Sequence, residues 1–391
     1  MYKAKESYSF LFSFRETEEY DHHNNQHIIV LEVFRKTGGG LFKITGEYML
    51  EEAFTFEKLL AAHKKCRRSK QHKKETISFE INLSANLAEL SKKLLNKTYK
   101  IGKYKQFYIY EPKKRNIEAL SYKDRVVLMA FCTNIIQPKL EKSLIYDNVA
   151  CRKGKGPYFG IKRLQHFLRD YYKKFGEQGY FLKCDIRKYF QSIDHNILLN
   201  KLKQTELDNE DLWFVELLLN SKNADTKAGL PIGNQTSQWF GLFYLNIVDR
   251  LIKERLRVKY YVRYMDDMIL IHTDKDFLFY CKQQIEKIVT EELNLQLNNK
   301  TQISQLRNGI DFLGFRHVLL KNGKLLTLLR GQAKCRMKKK IKLFGKLRDN
   351  EKINNEFINL RLNAFNAHLC HSNAKKYYIN LLKHYKFKIK E

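Results

Sequence analysis

Hydrophobic and polar positions along this chain follow two periods, and each change of period marks a predicted element. Near the start, HIIVLEVFR and LFKITGEYM flank KTGGG, which predicts two strands joined by a glycine turn. From Glu51 to Tyr99 the apolar spacing becomes helical and the polar residues become basic. YKQFYIYEPKKRNIEAL then predicts a short hairpin with a basic turn, and helical segments follow over 121–144 and 159–174.

The second half of the chain repeats this change of period around a predicted sheet. GYFLKCDIRKYF predicts a buried strand that ends at Asp185, and helices follow it through residue 221. GNQTSQWFGLFYLNIVDRLIKERL predicts one long amphipathic helix, and KYYVRYM with MILIHT predicts a hairpin. A helix over 275–293 comes next. A strand, a helix, a hairpin and another helix in this order indicate a ferredoxin-like α+β core, followed by a basic helical segment.

The net charge of the chain points to a class of partner. Its 391 residues carry a formal net charge of +31, from 73 Lys plus Arg against 42 Asp plus Glu. Positive charge spread along a whole chain attracts polyanions, so nucleic acid is the leading partner and a membrane surface is the alternative. No long apolar run is present, so we expect no membrane span. Seven scattered cysteines without a CxxC pair favour a reducing compartment, the cytoplasm.

Two adjacent carboxylates, Asp266 and Asp267, stand at the tip of the predicted hairpin. Neighbouring carboxylates repel unless a cation lies between them, and carboxylate oxygens suit Mg²⁺. Asp185 ends a strand roughly eighty residues earlier, where ferredoxin-like strands are adjacent. We therefore expect two Mg²⁺ ions, with Mn²⁺ as a substitute, held by these three aspartates and the carbonyl of Ile186. An ordinary Asp-Asp turn is the alternative interpretation.

These motifs, taken in order, resemble those of reverse transcriptases. FLKCDIRKYFQSIDH, GLPIGNQTSQ, YVRYMDD, LQLNNKT and GIDFLGF are similar to the palm motifs of that family. ALSYKDRVV and YDNVACRKGKG are similar to the fingers motifs of its prokaryotic group, which includes group II intron, retron and diversity-generating enzymes. The resemblance extends from about Phe54 to the C-terminus, and residues 1–52 lie outside it.

The resemblance implies a right-hand polymerase with a small N-terminal extension. The expected units are the extension with its hairpin (1–52), the fingers (53–180), the palm (181–325) and a basic helical thumb (326–391). Within the palm, residues 196–226 are expected to be helical and to pack toward the fingers. Chemically, the resemblance implies phosphoryl transfer assisted by two metal ions.

The resemblance also implies roles for individual residues. Catalysis is assigned to Asp185, Asp266, Asp267 and Lys300, the last as a proton donor to the leaving pyrophosphate. Nucleotide binding is assigned to Lys113, Arg115, Ile186, Phe190, Ile232, Gly233 and Gln238. Phe190 is the aromatic gate that excludes a ribose 2′-hydroxyl. Nucleic-acid binding is assigned to Arg125, Arg152, Lys153, Lys155, Tyr264, Met265, Phe312 and Gly314. For Phe190 and Phe312, plain core packing is the alternative.

The segment from Leu230 to Gln238 departs from the usual family pattern. Most reverse transcriptases have glutamine at the position of Ile232 and proline at the position of Gln238. Isoleucine has neither donor nor acceptor with which to check base-pair geometry. This departure resembles diversity-generating and defence-associated enzymes, and it predicts a raised error rate.

We therefore expect an RNA-directed DNA polymerase that makes cDNA from dNTPs on a dedicated structured non-coding RNA in a bacterial or phage cytoplasm. Anti-phage defence is the first interpretation of its role, and mutagenic copying in a diversity-generating retroelement is the second. Untemplated or protein-primed DNA synthesis and a non-catalytic RNA-binding scaffold remain as rivals. An accessory protein or a second copy of the chain is an open partner, and no membrane partner is expected.

Overall fold

The computed structural model describes residues 12–21, 26–35, 42–44, 50–110, 114–221, 227–385 and 387. The first strands are β1 (Phe12–Asp21), β2 (Gln26–Arg35) and β3 (Phe42–Ile44), which form one antiparallel sheet in that order. β2 and β3 match the two predicted strands, whereas β1 lies in FSFRETEEYD, which the sequence did not mark as a strand. The predicted glycine turn between β2 and β3 falls outside the described residues.

The segment expected to form the fingers is mostly helical. Four helices come first, Leu50–Ala53, Phe56–Cys66, Lys74–Ile81 and Leu83–Leu95. The predicted hairpin then forms from β4 (Lys105–Ile109) and β5 (Arg115–Ala119), and helix Tyr122–Phe131 continues through a π-helical turn, Cys132–Ile136, into Gln137–Glu141. Phe54 and Phe131 pack against Phe214 with ring centroids 5.2 Å and 4.5 Å from it, which joins these helices to a helix inserted in the palm.

The palm is a four-stranded antiparallel sheet. Its strands are β6 (Tyr180–Cys184), β7 (Tyr260–Tyr264), β8 (Asp267–His272) and β9 (Gln302–Gln305), in the spatial order β7-β8-β6-β9. Helix Lys275–Glu291 packs on one face and helix Pro157–Phe175 on the other. The central pair β8-β6 and the outer pair β7 and β9 reproduce the ferredoxin-like order, so the predicted fold class is confirmed.

The prediction of one long amphipathic helix between β6 and β7 is wrong in two respects. The segment divides into Gln235–Tyr244, Asn246–Arg250 and a π-helical turn, Leu251–Arg255. Its first piece is also buried on nearly every side, including Trp239, Phe240 and Tyr244. A polar face is not available, because this helix lies between the palm sheet and the fingers helices. Three helices precede it, Tyr189–Ser192, His195–Leu202 and Asn209–Asn220.

The C-terminal part begins with a small sheet and ends in three helices. Strands β10 (Ile310–Phe312), β11 (Phe315–Leu319) and β12 (Leu325–Leu329) follow a 3₁₀ turn, Leu306–Asn308, and pair antiparallel in sequence order. Helices Gly331–Asp349, Asn355–Leu369 and Lys375–His384 have their own apolar core, which includes Met337, Ile341 and Leu362. Throughout the described part of the chain, no helix is long and apolar enough to cross a bilayer.

Candidate active site

The hairpin between β7 and β8 turns within two residues, Met265 and Asp266, because Tyr264 pairs directly with Asp267. Met265 has a φ of +55°, a left-handed conformation that costs energy for a residue with a side chain. Its carbonyl accepts a 2.8 Å hydrogen bond from the guanidinium of Arg263. The buried side chain of Arg263 therefore stabilises the strained turn that contains Asp266.

Arg263 belongs to a buried ion pair that the sequence analysis missed. Its guanidinium bonds both carboxylate oxygens of Asp249, at 2.7 Å and 2.5 Å, and neither side chain is exposed. The hydroxyl of Tyr261 donates to the same carboxylate at 2.6 Å. A charge within the otherwise apolar run YYVRYM was the signal that a buried partner must exist.

The register of the palm sheet brings the predicted catalytic carboxylates together. β6 and β8 pair through Cys184 and Met268, so Asp185 and the turn at Asp266 come to the same edge of the sheet. The carboxyl of Asp185 lies close enough to that of Asp266 to interact with it directly. Burial, together with this neighbour, raises the pKa of Asp266 to about 7. Asn298 donates to the other side of Asp185 at 3.1 Å and fixes its orientation.

The third carboxylate, Asp267, has a different partner. Burial raises its pKa, while the ammonium of Lys183, 3.1 Å from its Oδ1, opposes that rise. Lys183 also donates to the carbonyl of Asp311 at 2.6 Å, and Arg330 pairs with the Asp311 carboxylate at 3.4 Å. A lysine on β6 thus connects the catalytic turn to β10 and to the start of helix Gly331–Asp349. Neither Lys183 nor Arg330 was identified from the sequence.

A cavity of about 440 Å³ lies beside these groups. Asp185 and Asp267 line it with Lys183, Lys300 and Arg330. Lys300 is exposed, and its backbone N–H donates to Asn298 Oδ1 at 3.1 Å. The predicted proton donor and two of the predicted carboxylates therefore face one space.

The donor set at this edge fits a hard divalent cation. Two carboxylates that interact directly can share a metal ion, and oxygen ligands are what Mg²⁺ prefers. The backbone of Ile186 is fixed by hydrogen bonds on either side, from Arg187 N to Gln296 O at 2.9 Å and from Asn298 N to Asp185 O at 2.7 Å. Among the residues that the structure describes, no group of three or more His, Cys, Asp or Glu side chains is already arranged around one point. From the chemistry of their oxygens, Asp185 and Asp266 are the residues that would hold the ion.

The segment before helix Gln235–Tyr244 joins the palm to the fingers hairpin. Leu230 N donates to the carbonyl of Phe190 at 2.7 Å, and Glu118 N on β5 donates to the carbonyl of Ile232 at 3.0 Å. Gly233 has a φ of +138°, and a Cβ there would lie 2.9 Å from the carbonyl oxygen of Glu118. Phe190 and Ile232 are half-buried, and Gly233 is exposed. The structure thus brings Ile232 and Gly233 close to β5, and the same segment contacts Phe190 through Leu230.

Other predicted nucleotide-binding residues lie at the surface. Gln238 is exposed in the first turn of its helix. Arg115, at the start of β5 opposite Ile109, is also exposed. Lys113 falls outside the described residues. Its neighbour Lys114 places its ammonium 4.7 Å from the ring of Tyr108.

Three of the four predicted basic nucleic-acid contacts are engaged within the protein. Arg125 pairs with Glu75 at 2.9 Å. Arg152 pairs with Glu141 at 2.9 Å and donates to the carbonyls of Ile145 and Asn148. Lys155 donates to the carbonyl of Tyr146 at 2.6 Å and lies 4.3 Å from its ring; burial lowers its pKa to about 8. The fourth, Lys153, is exposed.

The remaining predicted contacts lie on two tight turns. Tyr264 is half-buried and packs against the palm core beside Met265. Phe312 is fully buried, and the turn after it has positive φ at both Leu313 (+48°) and Gly314 (+89°). This turn packs on helix Pro157–Phe175, since a Cβ on Gly160 would lie 2.8 Å from Leu313.

Comparison with known proteins agrees with this geometry. The family model described as reverse transcriptase (RNA-dependent DNA polymerase) matches residues 89–317, more than half of the chain. No curated protein sequence matches.

Among solved structures, the chain is similar to apo telomerase from Candida tropicalis truncated from the C-terminal domain, at 17% identity and a TM-score of 0.44 over 58% of this chain and 54% of that one. It is also similar to Candida albicans telomerase in complex with a TWJ fragment of telomeric RNA, at 14% identity and a TM-score of 0.43 over 69% and 54%. The chain spans about half the length of either telomerase.

Proposed function

Because this chain belongs to the reverse transcriptase (RNA-dependent DNA polymerase) family, we propose that it copies RNA into DNA. The observation that carries the proposal is the convergence of Asp185 and Asp266 at one edge of the palm sheet, beside a cavity lined by Lys300 and Arg330. The substrates are an RNA template, a primer with a 3′-hydroxyl and dNTPs, and the products are cDNA and pyrophosphate.

The protein's own residues bind and orient the reactants. Asp185 and Asp266 would hold the cations, and Lys183 keeps Asp267 in place beside them. When bound, Mg²⁺ supplies the charge that acidifies the primer hydroxyl and neutralises pyrophosphate. Lys300 at the cavity edge protonates the departing pyrophosphate.

The incoming nucleotide is held by the hairpin and by the segment docked on it. Arg115, with Lys113, grips the triphosphate from the fingers hairpin, a task that suits the bidentate guanidinium fork. Phe190 lies under the sugar and rejects a 2′-hydroxyl. Ile232 and Gly233 face the nascent base pair on the segment that the β5 backbone anchors.

Extension of oligo(dT) on poly(rA) with dTTP and Mg²⁺ tests the proposal. Asp266→Asn removes a cation ligand worth several kcal/mol in the transition state, which corresponds to about a 10³-fold loss of rate. Asp276→Asn is the matched control, because Asp276 is exposed in the first turn of helix Lys275–Glu291. Equal rates for wild type and Asp266→Asn would exclude catalysis at this site and leave the scaffold interpretation.

The template is proposed to be a dedicated structured non-coding RNA of a bacterium or phage, and the setting is anti-phage defence in the cytoplasm. The sheet β1-β2-β3 outside the polymerase motifs favours this setting, because an added module provides a surface for a second task. An accessory protein or a second copy of the chain would bind there.

Error-prone copying in a diversity-generating retroelement is the second candidate. It is favoured by Ile232, whose side chain has no hydrogen-bonding group for the nascent pair. Sequencing the RNA and DNA that co-purify with the protein separates the settings. A DNA with no complement in the bound RNA would favour untemplated or protein-primed synthesis.

A further inference from the structure

A second cavity, of about 290 Å³, lies in the C-terminal helical region. It opens between helices Gly331–Asp349 and Asn355–Leu369, and Leu329 at the end of β12 closes one side. It shares no lining residue with the catalytic cavity, yet Arg330 lines that cavity while Leu329 and Ala333 line this one. Adjacent residues, Leu329 and Arg330, therefore line the two different spaces.

The walls of this thumb cavity are apolar and partly aromatic. Ala333 and Met337 come from one face of the first helix, and Phe365 and His368 from one face of the second. Their spacings of four and three residues place each pair on one helical face. Two aromatic rings opposite a methionine form a slot that suits a flat aromatic group.

His368 is held with one ring nitrogen turned away from the slot. Its Nδ1 is 3.3 Å from the hydroxyl of Tyr158, and its ring packs 4.9 Å from Phe315. Burial lowers its pKa, with a further contribution from His371, so the ring is neutral near pH 7. The remaining nitrogen, Nε2, can donate or accept one hydrogen bond at the polar edge of a ligand.

The rim of the cavity is positive. Arg336 and Lys340 are one turn apart on the first helix, and the lining contains no acidic residue. Within the described part of the chain, Arg336 has no acidic partner. A half-buried guanidinium beside an apolar slot, with no carboxylate to neutralise it, favours an anionic group such as phosphate.

We propose that the thumb cavity binds one unpaired ribonucleotide of the RNA, with its base between Met337 and Phe365 and its phosphate on Arg336. The inference rests on the proposed function in one respect, namely that the bound polymer is RNA. cDNA leaves the palm paired with its template, whereas a structured RNA contains unpaired bases that aromatic pockets recognise. Such an anchor, one helical turn from Arg330, would fix the RNA relative to the catalytic carboxylates.

Binding of the four ribonucleoside 5′-monophosphates to the full chain, with ribose 5-phosphate as the base-free probe, tests this directly. We expect at least one monophosphate to bind at least tenfold more tightly than ribose 5-phosphate in isothermal titration. Ala333→Phe fills the slot and should abolish the difference. Ala364→Phe, on an exposed position of the second helix, should preserve it.

A second variant keeps the test valid if Ala333→Phe fails to fold. Arg336→Gln should weaken monophosphate binding tenfold, whereas Lys338→Gln, exposed on the same helix, should not. Equal affinities for the monophosphates and ribose 5-phosphate, or binding that survives both Ala333→Phe and Arg336→Gln, would overturn the proposal.

The catalytic proposal is measured separately. Extension of oligo(dT) on poly(rA) should be unchanged in Ala333→Phe, because that template has no structured region to anchor. If the wild type extends no primer but binds a monophosphate that Ala333→Phe releases, the polymerase proposal fails and the cavity assignment stands. If the wild type extends the primer but binds no monophosphate, the cavity assignment fails and the polymerase proposal stands.

Discussion

Phe190, which we propose as the sugar gate, is held in place by its backbone and by its ring. Its carbonyl accepts from Leu230, and its ring approaches Gly241 so closely that a Cβ there would lie 3.1 Å from Phe190 Cε1. The ring is half-buried, so the same residue packs in the core and presents an edge outward. Core packing and gating are therefore compatible roles for one side chain.

Phe190→Ala should admit ribonucleotides, because the space taken by the ring becomes available to a 2′-hydroxyl. Steric discrimination in a pocket is worth about 10- to 200-fold, and we expect selectivity for dNTP over rNTP to fall by that amount. Single-nucleotide incorporation kinetics with dTTP and UTP measure it. Phe190→Tyr, which keeps the ring, serves as the control, and unchanged sugar selectivity in Phe190→Ala would refute the gate.

A substitution of Ile232 tests whether this side chain sets the error rate of DNA synthesis. Ile232→Gln supplies a donor and an acceptor while leaving the backbone bond from Ile232 O to Glu118 N in place. One added hydrogen bond is worth about 0.5–1.5 kcal/mol, so misincorporation should fall roughly two- to tenfold. Sequencing of cDNA copied from a defined RNA gives the error spectrum. Ile232→Leu should leave that spectrum unaltered, and an unaltered spectrum in Ile232→Gln would contradict the assignment.

The raised pKa of Asp266 predicts how stability depends on pH when no divalent cation is present. The carboxyl titrates near 7 in the folded chain and at about 3.9 in the unfolded chain. Between those values only the folded chain holds the proton, so the free energy of unfolding falls as pH rises. At about 1.4 kcal/mol per unit, the loss is on the order of a few kcal/mol.

Urea denaturation across this pH window, in the presence of a chelator, measures the effect. Asp266→Asn should flatten the dependence, and the exposed control Asp276→Asn should retain it. Added Mg²⁺ should restore stability at the upper end, because it binds the ionised folded site. The same pH dependence in the wild type and in Asp266→Asn would show that the carboxyl is not perturbed in this direction.

At the scale of elements, the spacing of apolar residues predicted the strands and helices that form from short-range sequence preferences. β6, β7 and β8 are short and rich in aromatic or β-branched residues, and their order was sufficient for the ferredoxin-like core. The helix after Asn234 was predicted as amphipathic because its polar residues looked exposed. Thr236 and Ser237 are instead buried against the palm, which only tertiary packing decides.

In the active site, too, some contacts could be predicted from the sequence and others depend on tertiary packing. Asp185 and Asp266 could be paired from motif order, because antiparallel strands bring their ends together. Lys183 and Arg330 could not, since the first meets Asp267 across strands and the second arrives from the start of a distant helix. Arg263 gave a signal, a charge in an apolar strand, but its partner Asp249 lies on a helix that no periodicity connects to it.

The fingers hairpin and the palm are coupled through one backbone contact, and Gly233 tests it. Gly233→Ala would push a Cβ to 2.9 Å from Glu118 O, so β5 must move away from the segment that carries Ile232. Misplacement near the reacting groups costs on the order of 10²-fold, so kcat/KM for dTTP should fall by about 10- to 100-fold.

Gly156 provides a matched control for that change. Its φ is +143°, close to that of Gly233, but a Cβ there meets nothing within 4 Å. Gly156→Ala should therefore carry the same backbone strain and lower the melting temperature similarly without a comparable effect on kcat/KM. Equal kinetic losses in the two variants would attribute the effect to strain and not to the hairpin contact.

At the scale of the whole molecule, the net charge of +31 is not concentrated in the catalytic groups. Some basic side chains of the fingers motifs are bound to internal partners, as Arg125 and Arg152 are to Glu75 and Glu141. Helix Gly331–Asp349 instead exposes lysines at Lys338, Lys339 and Lys342. Part of the accessible positive charge therefore lies along this helix, and we propose that the helix contacts the RNA–DNA duplex.

Electrostatic binding of this kind predicts a steep dependence of RNA–DNA affinity on salt. Each neutralised phosphate lowers the slope of log K against log salt by about 0.7 to 0.9. Lys339→Gln with Lys342→Gln should therefore make the slope shallower by roughly 1.4 to 1.8. Fluorescence anisotropy with a labelled poly(rA)/oligo(dT) duplex measures it. Lys275→Gln should leave the slope unchanged. Lys275 is exposed and follows the C-terminal end of β8, whereas the turn with Asp266 precedes the other end of that strand. A slope that the double thumb variant does not alter would place the duplex elsewhere on the surface, because counterion release counts only the lysines that the phosphates reach.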